Sequence, residues 1–171
     1  DGSSGGVKGW LRFDAGTDHT VTLRLATSLI SVDQAKDNLR QEIPDGTSFE
    51  QVRDRARGQW DRLLGKVEVE GATQDQLTTL YSSLYRLYLY PNSGFEKVGS
   101  KYQYASPFSA MPGPDTPTHT GAKIVDGKVY VNNGFWDTYR TTWPAYSFLT
   151  PSQAGEMVDG LKNFDEGFVP P

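Results

Sequence analysis

A helix start signal recurs four times along the chain and constrains its fold more than any other feature. A Ser or Thr is followed three residues later by Gln at Ser31 and Gln34, Ser48 and Gln51, Thr73 and Gln76, and Thr150 and Gln153. In such a capping box, the hydroxyl and the amide satisfy backbone N–H groups in the first turn of a helix. An apolar helical pattern follows each signal. The sequence therefore predicts four helices.

The predicted helices differ in how much of their surface is apolar. The first should stop before the turn sequence that starts at Pro44, and the second should end at Gly65. The third runs from about Thr73 to Tyr90, with leucines on one side and tyrosines on the neighbouring side. A helix with apolar groups over so much of its circumference is typical of one buried between other helices. Its tyrosines are interpreted as core residues, and its partners are expected to include elements that this sequence does not contain.

Residues 10–30 carry the pattern of extended chain. Val21, Leu23 and Leu25 alternate with polar residues, which is the period of a strand with one buried face. The preceding GWLRF is predicted to be its hairpin partner. A lone hairpin is marginal in water, so a further element is expected to cover the pair.

Two further segments precede the fourth helix. Residues 92–120 are rich in Pro, Gly and Ser and read as an unusually long loop, which is either functional or contains an unrecognised element; a functional loop is favoured. Residues 122–131 (AKIVDGKVYV) predict a hairpin, because Asp126-Gly127 is a preferred two-residue turn between β-branched flanks. Strands without a sheet and helices without a bundle suggest an architecture cut at both ends.

Charge and composition exclude several classes of function. The 171 residues hold 17 basic and 21 acidic side chains, a net charge of −4, so no basic field is present to attract nucleic acid. The absence of cysteine rules out disulfides and thiolate metal sites. No apolar run approaches the roughly 20 residues that span a bilayer, and the first residues do not resemble a signal peptide. The chain is therefore expected to be soluble, with no membrane partner.

One stretch, NNGFWDTYRTTWPAY at residues 132–146, places Asp137 and Arg140 among five aromatic residues. If it forms one helix, the two charges share a face and can make an exposed ion pair. Alternatively, Asp137 accepts hydrogen bonds from sugar hydroxyls beside Trp136, while Arg140 fixes the carboxylate rotamer. Sugars suit such a pocket because their C–H faces pack on aromatic rings and their hydroxyls bind charged groups. The pattern leaves both interpretations open.

Other candidate residues carry weaker signals. His119 has no second ligand at metal spacing and is interpreted as a loop histidine, and His19 as a structural residue at the start of a strand. Glu96 could be a general acid in a loop, although nothing local indicates a raised pKa. The chain has no Gly-rich phosphate loop after a strand, no HExxH motif and no nucleophile elbow, which removes several common classes of enzyme.

The runs LYRLYLYPNSGFE at residues 84–96 and SPFSAMPG to GEMVDG at residues 106–160, with WDTYRT at their centre, closely resemble the bacterial alpha-mannosidases of glycoside hydrolase family ninety-two. This resemblance implies a mixed α and β fold that is mainly helical. Residues 1–30 would be the last strands of an N-terminal β-sandwich and residues 31–72 a helical linker. Residues 73–171 would open a C-terminal (α/α)6 barrel with its helices and a hairpin.

The resemblance also implies an activity and a set of binding residues. The family hydrolyses alpha-mannosides of glycans as calcium-dependent, inverting, exo-acting enzymes. Trp136 and Asp137 match the segment that lines the mannose pocket, and Arg140 takes a supporting role. The general acid, the general base and most calcium ligands are expected beyond these residues, so no catalytic or metal-binding residue is nominated. The segment alone is expected to be inactive, with mannose-containing glycans and the rest of the sandwich and barrel as partners.

Two other functions are consistent with the same residues. A non-catalytic carbohydrate-binding module would use the same pocket, and a structural fragment would use Trp136 for stability alone. The resemblance implies secretion to the periplasm, the cell surface or the medium. Glycosidic linkage preference and the natural glycan are not encoded in any recognisable motif.

Overall fold

The computed structural model describes residues 10–17, 19–107, 116 and 118–162, with Phe135 described by its backbone alone. Within these residues, six helices and five short strands follow one another along the chain. The helices are α1 (Val32–Glu42), α2 (Phe49–Leu64), α3 (Gln74–Leu87), α4 (Phe135–Thr138), α5 (Thr142–Leu149) and α6 (Pro151–Lys162). The strands are β1 (Asn92–Ser93), β2 (Glu96–Val98), β3 (Lys101–Ala105), β4 (Ile124–Asp126) and β5 (Tyr130–Val131). The predicted mixed and mainly helical fold is confirmed.

The first three predicted helix starts are confirmed by their caps. Ser48 and Thr73 each form the full capping box, with the side chain of the following Gln returning to the cap backbone. Ser31 accepts from the backbone N–H of Gln34 at 3.1 Å, but the Gln34 amide donates to the carbonyl of Lys97 at 3.0 Å instead. The side chain of Gln34 therefore joins α1 to β2, although it lies at the start of the helix.

The fourth start is at the predicted position but is capped differently. Helix α6 begins at Pro151, where the missing N–H of proline costs nothing. The hydroxyl of Thr150 lies 3.3 Å from the carbonyl of Tyr146, so it closes the end of α5. The predicted capping box between Thr150 and Gln153 is not among the described hydrogen bonds.

Helix α3 is shorter than predicted, and its tyrosines have different surroundings. It ends at Leu87, three residues before the predicted end at Tyr90. Tyr88 stacks on Tyr146 with 5.4 Å between ring centroids, but Tyr85 stays 44% exposed beside Trp60. The prediction that all the tyrosines of α3 lie in the core is therefore wrong for Tyr85, because α2 covers only part of this side of α3.

The strands pair in two small antiparallel sheets that differ from the predicted hairpin. Strands β2, β3 and β4 form one sheet in that order, and β1 pairs with β5 in the other. The chain bends at Gly127, with φ +128°, but its two flanking strands pair with different partners. The predicted hairpin over residues 122–131 is therefore wrong. Strand β4 pairs with β3 and β5 pairs with β1, and both partners lie further away along the sequence.

The predicted long loop over residues 92–120 contains strands β1, β2 and β3. Strands β2 and β3 form a tight hairpin that turns at Gly99, whose φ of +61° suits glycine. Of the two interpretations of this loop, the one with an unrecognised element is therefore confirmed for the part that contains β1, β2 and β3. Residues 108–115 and 117 of the predicted loop lie outside the described residues, as do residues 1–9 of the predicted strand region and 163–171 of the predicted barrel region.

Residues 10–30 do not form the predicted hairpin. No strand is assigned among their described members, and Val21, Leu23 and Leu25 are 47%, 72% and 73% exposed. The apolar face lacks a covering layer, so the pairing has no burial to stabilise it. The segment is held at its end, where the backbone N–H of Thr120 donates to the carbonyl of Ile30 at 3.0 Å. The assignment of residues 1–30, 31–72 and 73–171 to sandwich, linker and barrel stays a prediction.

The buried core lies where β5, α5 and α6 meet the end of α3. Its buried members are Tyr130, Tyr146, Ala154 and Met157, and Leu87, Tyr88, Phe95 and Trp143 pack against them. Helix α6 approaches β5 closely at Gly160, where a Cβ atom would lie 2.5 Å from the ring of Tyr130. This core supports the segment that leads from β5 into α5.

Candidate functional site

Residues 132–141 connect β5 to α5 and carry the candidate substrate-binding side chains. The stretch from Trp136 to Trp143 is not one helix, because α4 is a single turn that ends at Thr138 and α5 begins at Thr142. The backbone N–H of Asp137 donates to the carbonyl of Gly134 at 3.1 Å, which starts the turn. The break between α4 and α5 leaves the candidate residues on a short projecting segment.

The candidate side chains face outward on this segment. Trp136 is 82% exposed, and Asp137 and Arg140 are also exposed. No described salt bridge joins Asp137 to Arg140. The guanidinium carbon of Arg140 instead lies 4.9 Å from the ring centroid of Tyr139. Both charges are therefore available for other partners, and Asp137 offers a carboxylate beside an uncovered indole.

Both ends of the segment are attached to one place, the backbone just after α3. At one end, the amide of Asn132 donates to the side-chain oxygen of Asn92 at 2.8 Å, next to the pairing of β5 with β1. Beyond the other end, in α5, the hydroxyl of Tyr146 shares its one hydrogen between the carbonyls of Leu87 and Tyr90. Residues 87–92 therefore fix the base from which Trp136 and Asp137 project.

Burial keeps the anchoring tyrosine in its neutral, donating form. Tyr146 is 1% exposed, and desolvation raises the pKa of its hydroxyl to about 12, with a smaller contribution from Tyr88. A neutral phenol is the form that can donate to a backbone carbonyl. The anchor is therefore maintained throughout the neutral pH range.

A second polar group stabilises the other side of the core. Glu156 on α6 accepts from the ammonium of Lys128 at 2.7 Å and from the hydroxyl of Tyr130. The hydrogen bond from Lys128, followed by that from Tyr130, lowers the pKa of the Glu156 carboxyl. Burial, aided by Glu156, raises the pKa of the Tyr130 hydroxyl. This network holds α6 against β5, and through β5 it supports the candidate segment.

Glu96, the candidate general acid, is fully engaged by the fold. One carboxylate oxygen accepts from the backbone N–H of Leu29 at 2.7 Å, and the other from the amide of Asn38 at 2.6 Å. It lines a cavity of about 500 Å³ between residues 25–29, α1 and β2. The lining of this cavity does not include Trp136, Asp137 or Arg140. Glu96 thus joins three segments of the chain, and its contacts favour a structural role.

The two histidines lie apart from the candidate segment and differ in their contacts. The Nδ1 atom of His119 lies 3.0 Å from the hydroxyl of Thr118, and its backbone forms a bridge with Ser31. His19 is an exposed residue with φ +50°. Among residues 10–17, 19–107, 116 and 118–162, no group of three or more His, Asp or Glu could hold a metal ion. No helix in this described part of the chain has both the length and the apolar character to span a membrane.

Comparison with known proteins identifies the class of the chain. The family model described as "Glycosyl hydrolase family 92 catalytic domain" matches residues 34–170. A match over this much of the sequence defines the class as glycosyl hydrolase. The chain belongs to glycosyl hydrolase family 92. No curated protein sequence matches it.

Two solved structures resemble the fold described above. The first is the family GH92 inverting mannosidase BT2199 from Bacteroides thetaiotaomicron VPI-5482, with 33% identity, a TM-score of 0.69 and 82% of this chain covered. The second is the gh92 family glycosyl hydrolase ccman5, with 25% identity, a TM-score of 0.57 and 80% of this chain covered. The chain spans only 18% and 17% of the lengths of these two proteins.

Sequence reasoning missed three residues that shape the candidate segment. Tyr139 contacts both Trp136 and Arg140, and Asn132 and Asn92 anchor the base of the segment. Asn132 has φ +61°, a left-handed conformation that Asn adopts more readily than most residues. The triplet NNG directly after a strand pattern could have indicated this turn.

Proposed function

We propose that this chain is a segment of a longer alpha-mannosidase, referred to below as the parent protein, and that it contributes part of the mannose pocket. The parent protein would hydrolyse alpha-mannosides of glycans from their ends, with inversion and with calcium. The observation that carries the proposal is the family match over residues 34–170. The inverting mannosidase activity named for BT2199 gives the proposal its substrate.

The geometry of residues 136–140 supports a role in binding a sugar. Trp136 presents an uncovered ring on which the C–H face of a hexose can pack. Asp137, beside it in the chain, can accept two hydrogen bonds from neighbouring hydroxyls, and each charge-assisted bond contributes about 1.5–3 kcal/mol. Arg140 would take a supporting role, and its guanidinium contacts the ring of Tyr139. The outward direction of these side chains fits a pocket that is closed by the remainder of the parent protein.

The hydrolytic groups are proposed to lie elsewhere in the parent protein. Inversion needs a general acid and a general base about 6.5–9.5 Å apart, so that a water fits between the base and the sugar. The one acidic residue considered for this role, Glu96, has both oxygens engaged by Leu29 and Asn38. The described residues therefore bind and orient the sugar in this proposal, and none of them transfers a proton.

Calcium does not fit any group of ligands in the described part of the chain. A bound Ca²⁺ takes six to eight oxygen ligands, often from several carboxylates, and no cluster of three His, Asp or Glu is found there. We therefore propose that calcium is held by residues outside the described ranges. A location outside the cytoplasm is proposed with it, on the basis of the family resemblance.

The proposal is tested by kinetics of the parent protein on an aryl alpha-mannoside. The parent protein is expected to release the aryl group, and chelation of calcium should abolish the reaction until calcium is restored. Asp137→Ala should lower kcat/KM by at least about tenfold, since it removes charge-assisted hydrogen bonds to the sugar. The kcat/KM of Asp137→Asn, which keeps one acceptor oxygen, should lie between the values for the wild type and for Asp137→Ala.

A matched control separates binding from general surface charge. Asp61 is an exposed carboxylate on α2, 3.8 Å from Arg57, and Asp61→Asn should leave kcat/KM unchanged. An Asp137→Ala variant with unaltered kinetics would remove Asp137 from the pocket. A carbohydrate-binding module would instead be favoured by two results together. The 171-residue chain would bind mannose, and the parent protein would show no hydrolytic activity.

A further inference from the structure

We propose that Tyr139 is a positioning residue that holds Trp136 and Arg140 in the orientations that bind the sugar. This inference rests on the proposed function of the same segment and adds a residue that touches no substrate. Trp136 and Arg140 both contact the ring of Tyr139, which is the contact that they share.

The geometry of the three side chains places two contacts on one ring. The ring centroids of Trp136 and Tyr139 are 6.0 Å apart at an interplanar angle of 47°, within the range of favourable aromatic pairs. The guanidinium carbon of Arg140 lies 4.9 Å from the centroid of Tyr139, within the range of a cation–π contact. One ring therefore restrains both an indole and a cation.

Burial distinguishes the role of Tyr139 from the roles of its neighbours. Trp136 is 82% exposed and Arg140 is exposed, whereas Tyr139 is half-buried. Long exposed side chains sample many rotamers, and fixing them on binding weakens affinity unless they are already ordered. A half-buried ring in contact with two exposed side chains supplies that order before the sugar arrives. The predicted consequence is tighter binding without any direct contact between Tyr139 and the sugar.

The hydroxyl of Tyr139 is not needed for this role, because the ring makes both contacts. Tyr139→Phe keeps the ring, while Tyr139→Leu keeps apolar bulk and removes the aromatic face. In the parent protein, Tyr139→Leu should raise KM for an aryl alpha-mannoside by about threefold to tenfold and change kcat less than about twofold. Tyr139→Phe should restore KM to within about twofold of the wild type.

A double-mutant cycle tests whether Tyr139 acts through its neighbours. The effect of Tyr139→Leu on KM should shrink when Trp136→Ala is already present, and also when Arg140→Met is present, because one restrained group is then missing. Full additivity in either cycle would overturn the shared role. An unchanged KM in Tyr139→Leu, or a raised KM that Tyr139→Phe does not restore, would also overturn it.

The cycle also separates this inference from the proposed function. If the parent protein does not hydrolyse the mannoside, or if Trp136→Ala leaves KM unchanged, the proposed function fails. If Trp136→Ala and Arg140→Met raise KM while Tyr139→Leu does not, only the role of Tyr139 fails. The thermal unfolding midpoint of each variant reports on folding, and Tyr139→Met replaces Tyr139→Leu if the leucine variant does not fold.

Discussion

Two regions of the molecule carry similar apolar side chains in opposite surroundings. In residues 19–30, Leu23 and Leu25 are 72% and 73% exposed, although they alternate as in a half-buried strand. In the core between β5 and α6, Tyr146 and Met157 are 1% and 4% exposed. The core has four elements converging on one point, while residues 19–30 make polar contacts, such as those of Arg24 with Ile43 and Asp45, that leave their apolar face uncovered.

The difference shows what an amphipathic pattern specifies. Alternation determines which side chains share a face, because successive side chains of a strand point in opposite directions. It does not supply the layer that buries that face, and burial is what stabilises the pairing. The leucines of residues 19–30 are therefore exposed because no layer among the described residues covers them.

The largest expected effect contrasts adjacent residues of α6 inside and outside the core. Met157→Ala should lower the free energy of unfolding of the 171-residue chain by about 2–5 kcal/mol, because it removes a buried side chain and leaves a cavity. Val158 is 44% exposed, and Val158→Ala should cost less than about 1 kcal/mol. Urea unfolding of both variants measures the contrast, and equal losses would contradict the assigned core.

A smaller effect should distinguish the chain from the parent protein. Leu25→Ala should change the free energy of unfolding of the 171-residue chain by less than about 0.5 kcal/mol, since Leu25 is already exposed. In the parent protein, the same change should cost about 1.5–3 kcal/mol if a further layer buries this leucine. Urea unfolding of both proteins provides the comparison. A negligible cost in the parent protein would show that residues 19–30 remain uncovered there.

The smallest effect concerns the polar support of the core and depends on pH. Hydrogen bonds from Lys128, and then from Tyr130, lower the pKa of Glu156. The contribution of Glu156 to the free energy of unfolding is therefore present at pH values above its ordinary pKa of 4.5. The contribution is lost as pH falls through the lowered pKa of the folded state. Because the Glu156 side chain is 42% exposed, Glu156→Gln should cost only about 0.2–1 kcal/mol at neutral pH.

The measurement for Glu156 is the difference in unfolding free energy between wild type and Glu156→Gln as a function of pH. The difference should be constant near neutrality and should shrink as pH falls below 4.5 and through the lowered pKa of the folded state. Asp159→Asn is the control, because Asp159 and its partner Lys162 are 76% and 71% exposed and contribute less. A difference that persists at low pH would mean that the charge of Glu156 is not what stabilises this contact.

Local signals predicted the helices well and the strands poorly. The cap residues Ser48 and Thr73 act within three residues of themselves, so their helix starts follow from sequence alone. Strands β4 and β5 instead pair with β3 and β1, at separations that no turn signal encodes. The chain does bend at Gly127, with φ +128°, but the predicted two-residue turn and the pairing across it are absent.

The sequence singled out candidate residues, whose role stays a prediction, but not the geometry in which they lie. The composition of residues 132–146 singled out Asp137 and Arg140, and the family match covers this stretch together with the rest of residues 34–170. The break between α4 and α5 was missed, because every residue from Trp136 to Trp143 is compatible with a helix. The ring of Tyr139 was missed as well, since a contact between side chains three apart depends on rotamers that sequence does not fix.

The close approach at Gly160 limits how α6 and β5 can vary in related proteins. Any side chain at position 160 would collide with the ring of Tyr130, because even a Cβ atom would lie 2.5 Å from it. A relative that carries alanine there must shrink residue 130 or shift the helix. Gly155, with nothing within 4 Å of its Cβ position, has no such constraint. Positions 130 and 160 should therefore covary among related proteins, while position 155 should vary independently of them.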